Sequence, residues 1–423
     1  MSLDAERLSP DLLVVGLGYI GLPTAALAAQ SGLRVLGCDI DPEVVATVAS
    51  GRIHLEEDGL EELVSRNVQR GRLSASTQVE NAKVYLVAVP TPVGKGNRPD
   101  ISFVESAVEA IAPCIAEGDL IIIESTAPIG TTESARDIVA GLRPDLVAPT
   151  EGGTQPQWHI AYCPERVIPG KTLSELVSND RSVGGITTEC ARRAIEFYEN
   201  FVTGHCTPTT ARVAEMVKLV ENSFRDVNIA FANELSLLAD TFSIDVWEVI
   251  SLANNHPRVN ILQPGPGVGG HCIAVDPWFL VAADPENSRL IRTAREVNDG
   301  KAHYVVEKVL EMVERAPSLN RNDKIACLGL AFKPDIDDFR GSPAMDIAVR
   351  LAQRFGDRVM VAEPHARELP EALKSSGVRL LDADAAIAEC DNVVLLVDHR
   401  EFRAIDRAAL SDKSIYDTRG VWR

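Results

Sequence analysis

The chain has 423 residues, too many for one ordinary core, so two or three domains are expected. It is 45% hydrophobic and 24% charged, the balance of a folded globular protein, with no low-complexity tract. Its formal net charge of −19 repels nucleic-acid phosphates and anionic membrane surfaces. Neither is therefore an expected partner, and an anionic ligand would need a locally basic site.

No apolar run approaches the roughly 18 residues needed to span a bilayer. The opening MSLDAERLSPD has neither a basic n-region nor an apolar h-region, which predicts a cytoplasmic protein without a signal peptide. The eight cysteines, at 38, 114, 163, 190, 206, 272, 327 and 390, contain no Cys-x-x-Cys pair. That spacing fits neither a zinc site nor a disulfide framework, so no metal is expected.

In chain order, the apolar run 12–15 reads as a strand, glycines turn it, and 22–31 reads as a helix. Residues 34–38 form a second strand that ends at Asp39. Further apolar runs at 83–90, 119–125 and 159–164 keep a strand–helix rhythm, which argues for a parallel, doubly wound sheet. From 209 to about 253 there is no proline or glycine and apolar residues recur at helical spacing, predicting one very long helix or two in sequence. A second helical stretch is expected at 288–315.

A hinge-like APSLNRND follows at 316–323, and then the strand rhythm returns at 324–332, 358–364, 391–398 and 414–420. The fold class is therefore α/β: two Rossmann-like, doubly wound domains joined by a long central helical region. The expected boundaries are 1–205, 206–316 and 317–423. The apolar central helix also suits a homodimer interface. In the last domain the GLAFKP turn lacks a third glycine, so no second dinucleotide site is expected there.

Gly16, Leu17, Gly18, Tyr19, Ile20 and Gly21 follow a strand and open a helix. The first glycine makes the tight turn, the second lets backbone approach a pyrophosphate, and the third lets helix pack on strand. The diphosphate then meets the free N–H groups of a helix N-terminus. Asp39 stands where a carboxylate can hold the adenosine ribose 2′-OH and disfavour a 2′-phosphate, so the cofactor is predicted to be NAD. Pro90, Thr91, Ser125 and Thr126 lie at the ends of later strands, the edge at which such sheets bind ligands.

Two further clusters carry chemistry. Gly265, Gly267, Gly269 and Gly270 make a backbone that can lie close against a ligand, and His271 and Cys272 follow directly. A helix starting at Cys272 would raise its thiolate fraction, with Asp276 one turn away on the same face. On the long helix, Lys218 and Asn222 are at i, i+4 and share one face. They read equally as a solvated helix surface or as an ammonium and an amide aimed at an oxygen that gains charge.

These motifs, with Val89 to Pro92, Pro128, Gly130, Pro164, Glu165, Arg166, Phe332, Lys333, Pro334 and Asp335, resemble in order and spacing the UDP-glucose/GDP-mannose dehydrogenase family over nearly the whole chain. Within it, YCPERVIPGK, ELVSNDRSVGG and GPGVGGHCIAVDPWF look most like the branch acting on UDP-N-acetyl-D-mannosamine. The UDP-glucose branch carries Cys-Phe-Pro-Lys-Asp at the cysteine, where this chain has Ile273, Ala274 and Val275 in the middle.

The resemblance implies oxidation of a UDP-sugar C6 alcohol to a carboxylate with two NAD per turnover, feeding polysaccharide precursors. Cys272 would capture the intermediate aldehyde as a thiohemiacetal, with Lys218 and Asn222 stabilising its oxyanion. A second oxidation would give a thioester that water hydrolyses. Asp276 and Glu165 are both candidate bases, and Thr126 resembles a threonine that helps hold the catalytic water. The glycine loop 265–270 and Lys333 would meet the diphosphate, and Arg166 could read the sugar. Arg340 resembles an arginine near the cofactor, and Arg258 one that reaches the nucleotide of a neighbouring subunit. His271 reads as a substrate contact or structural residue, because adjacent side chains rarely face each other. UDP-N-acetylglucosamine and UDP-glucose remain open as substrates. A two-electron hydroxyacid dehydrogenase is the alternative of another class, but it needs neither a nucleophilic cysteine nor a second α/β domain.

Overall fold

The computed structural model describes residues 9–55, 57–94, 96–168, 170–315 and 323–423. The first eight residues lie outside them, as does the expected hinge apart from Asp323. The chain divides into two compact units at Glu221 and Asn222, inside one continuous helix, Ala211–Thr241.

The first unit is built on an eight-stranded sheet. Its strands are β1 (Leu12–Val15), β2 (Val35–Cys38), β3 (Leu73–Ser76), β4 (Val84–Val87), β5 (Leu120–Ile123), β6 (His159–Tyr162), β7 (Arg181–Gly185) and β8 (Cys206–Thr210). They lie in the order β3-β2-β1-β4-β5-β6-β7-β8. The first six run parallel in the Rossmann order, and helices cover both faces. Strand alternation sends Leu12, Val14 and Ile122 into one core and Leu13, Ile121 and Ile123 into the other.

Sequence periodicity misses β3, β7 and β8. LSAS, RSVGG and CTPTT lack the apolar run that marks a doubly buried strand, because they lie toward the sheet's edges. β7 also runs antiparallel to β6, so the sheet is not wholly parallel as expected. Thr209 and Thr210 belong to β8, so the long helix starts at Ala211 and not at 209.

The second unit holds a five-stranded, all-parallel sheet. Its strands are β9 (Ile325–Leu328), β10 (Val359–Ala362), β11 (Arg379–Leu380), β12 (Asn392–Leu395) and β13 (Ser414–Asp417), in the order β11-β10-β9-β12-β13. Here too the three central strands feed two cores, β9 with Ile325 and Cys327 on one side and Ala326 and Leu328 on the other.

The central helical region resolves into two helices in sequence, Ala211–Thr241 and Val246–Ala253. Ser243 breaks the first with a left-handed φ of 55°, and the Asp245 side chain caps the second through the N–H groups of Trp247 and Glu248. The helix Arg289–Arg315 matches the expected second stretch.

Candidate active site

The glycine turn after β1 has the crowding that its motif demands. Gly16 has a φ of 94°, and a Cβ there would stand 2.5 Å from the Ala88 carbonyl oxygen. A Cβ on Gly21 would stand 1.8 Å from the Gly16 carbonyl oxygen, so only hydrogen lets the helix Gly21–Gln30 seat against the turn. Around Gly18 there is open space, as expected where a ligand is to approach the backbone. Tyr19 is exposed and Ile20 is the residue before the helix.

The Asp39 carboxylate takes the Leu17 N–H at 2.8 Å and the Asp41 N–H at 3.0 Å, which fixes its direction beside the turn. A carboxylate accepts more bonds than these two, so it retains capacity for a ribose hydroxyl. These residues fit a dinucleotide.

Along the same sheet edge, the Ser125 hydroxyl donates to the Val89 carbonyl at 2.7 Å and ties the end of β5 to the segment carrying Pro90 and Thr91. Thr126 is half-buried beside it. Two buried carboxylates brace this edge, and sequence reasoning missed the second of them. Glu124 accepts from the Tyr198 hydroxyl at 2.7 Å and lies 3.6 Å from Arg181. Burial pushes its acidity down, with Arg181 opposing. Glu215 holds the N-terminus of the helix Thr131–Leu142, taking the Gly130 N–H at 2.6 Å and the Thr132 N–H at 2.8 Å. That helix end is therefore filled by the protein's own anion. The available signal was a lone acid one turn before Lys218 in an apolar stretch.

Lys218 is buried, and its ammonium donates to the Glu165 carbonyl oxygen at 2.6 Å, with the Glu165 carboxylate 3.8 Å away. That geometry removes the reading of Lys218 as a solvated surface lysine. Glu165 also takes the N–H of Val167, which leaves its carboxylate near but not buried within the protein. Arg166 pairs with Glu221 at 2.7 Å and donates to the Asp180 carbonyl. Its charge is thus engaged at the base of the long helix.

In the second unit, the Asn222 amide donates to Asp276 at 2.5 Å, and Asp276 is 1% exposed. The helix that Asp276 belongs to, Asp276–Ala283, starts four residues after Cys272 and not at it. Two proline-glycine breaks upstream and Pro277 set that start point. Cys272 instead lies exposed in the turn before the helix, whose carbonyl takes the N–H groups of Val275 and Asp276 at 3.0 and 2.8 Å. Asp276 is thereby attached directly to the cysteine's turn.

The glycine loop is closely packed. A Cβ on Gly269 would stand 2.5 Å from the Gly341 carbonyl oxygen, and one on Gly270 2.9 Å from the Phe332 ring. Gly267 adopts a φ of 141°. The Gly265 N–H is given to Asn233 at 2.9 Å, so it is not available for an anion as the loop reading expected. Asn233 in turn donates to Asn298, whose amide donates to Asp226 at 2.8 Å, and Arg295 pairs with Asp226 at 2.6 Å. This buried chain, invisible as a motif, ties the loop to two long helices.

His271 lies 3.5 Å from Asp338 and packs edge-on to Phe332. Arg340 forms a two-point pair with Asp338 at 2.9 and 2.8 Å, which holds that carboxyl below the usual range. Lys333 is half-buried, its ammonium 5.8 Å from the Phe332 ring centre. Arg258 is exposed.

Comparison with known proteins finds matches along most of the chain. Models of the UDP-glucose/GDP-mannose dehydrogenase family match at residues 11–202 (NAD binding domain), 212–300 (central domain) and 326–423 (UDP binding domain). The chain is 53% identical to an NDP-N-acetyl-D-galactosaminuronic acid dehydrogenase of Ralstonia nicotianae, over 97% of this chain and 95% of the relative. It is also 53% identical to a UDP-N-acetyl-D-mannosamine dehydrogenase of Salmonella typhi, over 97% and 98%. Among solved structures it is similar to the UDP-D-ManNAc dehydrogenase of Pyrococcus horikoshii, with a TM-score of 0.85 and 36% identity over 97% of this chain and 96% of that one.

Proposed function

The chain belongs to the UDP-glucose/GDP-mannose dehydrogenase family, and on that footing we propose that it oxidises the C6 alcohol of UDP-N-acetyl-D-mannosamine to the carboxylate through a covalent cysteine intermediate. It is an NAD-dependent nucleotide-sugar dehydrogenase. The observation that carries the mechanistic reading is the pair Asn222 and Asp276, 2.5 Å apart, joined through the Asp276 N–H to the turn that exposes Cys272.

The Gly16 to Gly21 turn and Asp39 would hold NAD, which would accept one hydride from the C6 alcohol, its hydroxyl proton passing to a base, to give the aldehyde. The thiohemiacetal would give its hydride to a second NAD. The Cys272 thiolate adds to the C6 aldehyde, forming a C–S bond and an oxyanion. Lys218 and Asn222 donate to that oxygen, and Asp276 orients the Asn222 amide. After the second oxidation the C6 carbon is a thioester. Glu165 takes a proton from water, assisted by Thr126, and hydrolysis breaks the C–S bond to release the carboxylate and Cys272. The full burial of Asp276 and its bond to Asn222 favour Glu165 over Asp276 as this base.

In the same reading, Gly267, Gly269, Gly270 and Lys333 meet the diphosphate, Arg340 lies toward the cofactor, and Arg258 serves a neighbouring subunit. Arg166 and His271 have supporting roles. The organisation is 1–205 for NAD, 206–316 for the centre and 317–423 for UDP, supported by the three matched stretches.

We also propose a homodimer. Val213, Met216, Val220, Phe224, Phe231 and Leu238 lie at helical spacing along Ala211–Thr241, and all are exposed. Light scattering after gel filtration should give twice the chain mass, and a monomer at micromolar concentration would remove this part. A cytoplasmic location accords with the cofactor and substrate. Among the described residues no helix is long and apolar enough to cross a membrane.

The relative named for N-acetyl-D-galactosaminuronic acid, at the same identity, favours a second reading in which the sugar is the galactosamine isomer. The test is the ratio of NADH formed to sugar consumed, with each UDP-sugar, for wild type and Cys272→Ala. Two NADH per sugar, with turnover lost in the variant, is the expected result. One NADH per sugar, or an active variant, overturns the covalent mechanism, and preference for another sugar overturns only the substrate.

A further inference from the structure

The turn after β9 carries Phe332 and Lys333, and both of its ends hang on one buried pair of side chains. Glu363 ends β10 and is 5% exposed. Its Oε2 takes the N–H groups of Leu330 and Ala331 at 2.6 and 3.2 Å, and its Oε1 takes the His365 N–H at 3.1 Å. His399, fully buried after β12, has its Nε2 at 3.2 Å from the same Oε2. Its Nδ1 accepts the Asp335 N–H at 2.9 Å.

This network assigns the His399 proton to Nε2, since Nδ1 must present a lone pair to the Asp335 amide. Burial pulls the Glu363 carboxyl up, but the hydrogen bond from His399 and the backbone donors hold it below its ordinary range. Asp335 sits at a left-handed φ of 62°, and its Oδ1 takes the Arg400 N–H at 3.0 Å. Aspartate takes this left-handed backbone more readily than most side chains, and the bonds at its N–H and Oδ1 hold it there. Asp335, His365, His399 and Glu401 bring possible ligand atoms within 4.8 Å of one another. Both ring nitrogens of His399 are already bonded, one to Asp335 and one to Glu363.

The turn matters because of what leans on it. Phe332 backs the glycine loop so closely that a Cβ at Gly270 would meet its ring at 2.9 Å, and one at Gly269 its Cβ at 3.0 Å. Cys272 lies two residues further on.

We propose that Glu363 and His399 are positioning residues for nucleotide recognition. One anchors the turn at Leu330 and Ala331, the other at Asp335, and together they set where Lys333 points and where Phe332 holds the glycine loop. This rests on the reading of Lys333 as a diphosphate contact.

The experiment is titration of the full-length enzyme with UDP alone, alongside KM and kcat for the sugar nucleotide and KM for NAD. Glu363→Gln keeps the size and removes the charge. It is expected to weaken UDP binding about tenfold and raise the sugar KM in step, with kcat and the NAD KM within about twofold. His399→Asn, whose amide oxygen can still accept the Asp335 N–H, is expected to retain more UDP affinity than His399→Leu. Unchanged UDP affinity in a folded Glu363→Gln protein overturns the proposal, as does an equal loss of NAD and UDP binding. Lys333→Ala separates the two readings: normal UDP affinity there refutes the diphosphate role of Lys333 and leaves the Glu363 result to be judged on the glycine loop. In the wild type, hydrogen exchange at the amides of Leu330, Ala331 and Asp335 should be slow without ligand. Fast exchange there overturns the proposal whatever the variants do.

Discussion

The turns after β1 and β9 begin alike, Gly-Leu, in two sheets whose strands share the same order around them, yet one lies in a stretch matching an NAD binding domain and the other in one matching a UDP binding domain. After β1 the third position is Gly18 with open space around it, and the sixth is Gly21, on which the helix closes. After β9 the corresponding residues are Ala331, 1% exposed, and Pro334. The carboxylates that end the second strands diverge in the same way. Asp39 is half-buried and takes the Leu17 and Asp41 amides, whereas Glu363 is buried and takes three amides and an imidazole. The first turn leaves backbone and carboxylate open to a dinucleotide. The second engages its carboxylate with its own loop and carries the half-buried Lys333 beside the Phe332 ring. A shared topology therefore fixes where a ligand can bind, while the saturation of one carboxylate helps determine which ligand it is.

The strongest way to break this comparison is Gly21→Ala. A Cβ 1.8 Å from a backbone oxygen forces helix and turn apart. NAD affinity is expected to fall roughly a hundredfold, with a loss of about 3 kcal/mol in stability. Cofactor titration and thermal melting check both, and near-normal NAD binding would refute the packing argument.

A second contrast concerns buried histidines. His159 in β6 is 3% exposed, and its Nδ1 faces only the Cys190 sulfur at 3.6 Å, whereas His399 has Glu363. Burial, helped by Arg193 and opposed by Glu189, lowers the His159 pKa to about 4. The unfolded chain binds this proton below about pH 6.5 and the folded chain does not until about pH 4, so stability is lost as the pH falls through that window. The loss is expected to be on the order of 2 kcal/mol. Melting temperature against pH should flatten over that range in His159→Gln, and an unchanged slope would refute the assignment.

Asp39→Asn is a smaller perturbation, because the amide oxygen can still take the Leu17 N–H. It is expected to raise the NAD KM about tenfold, the value of one charge-assisted bond, while UDP binding stays unchanged. The smallest effect is expected from Ala331→Gly. It restores the glycine spacing only in part, so NAD should still bind once per chain, with a stability change of about 1 kcal/mol or less. A second NAD would mean that the glycines alone define the site.

Much of this was legible in the sequence because the signals are local. The β1 turn is a run of six residues whose glycines answer contacts within the same strand–turn–helix unit, and the doubly buried strands announce themselves as apolar runs. Cys272 stands out because a glycine-rich loop precedes it. The edge strands stayed hidden because half their surface is polar. The Asn222–Asp276 bond stayed hidden because its partners lie 54 residues apart along the chain.

Local sequence signals suffice for the two Rossmann-like sheets, the glycine turn after β1, the set of candidate residues and the family that they resemble. Only the tertiary structure decided which of them are already spoken for. Lys218 is buried on the Glu165 carbonyl, Arg166 is neutralised by Glu221, the Gly265 amide is given to Asn233, and Glu363 is joined to His399. Each of those partners lies 32 or more residues away along the chain. A hydrogen bond depends on distance in space, and residue spacing along the chain carries no information about such pairs until the backbone has folded.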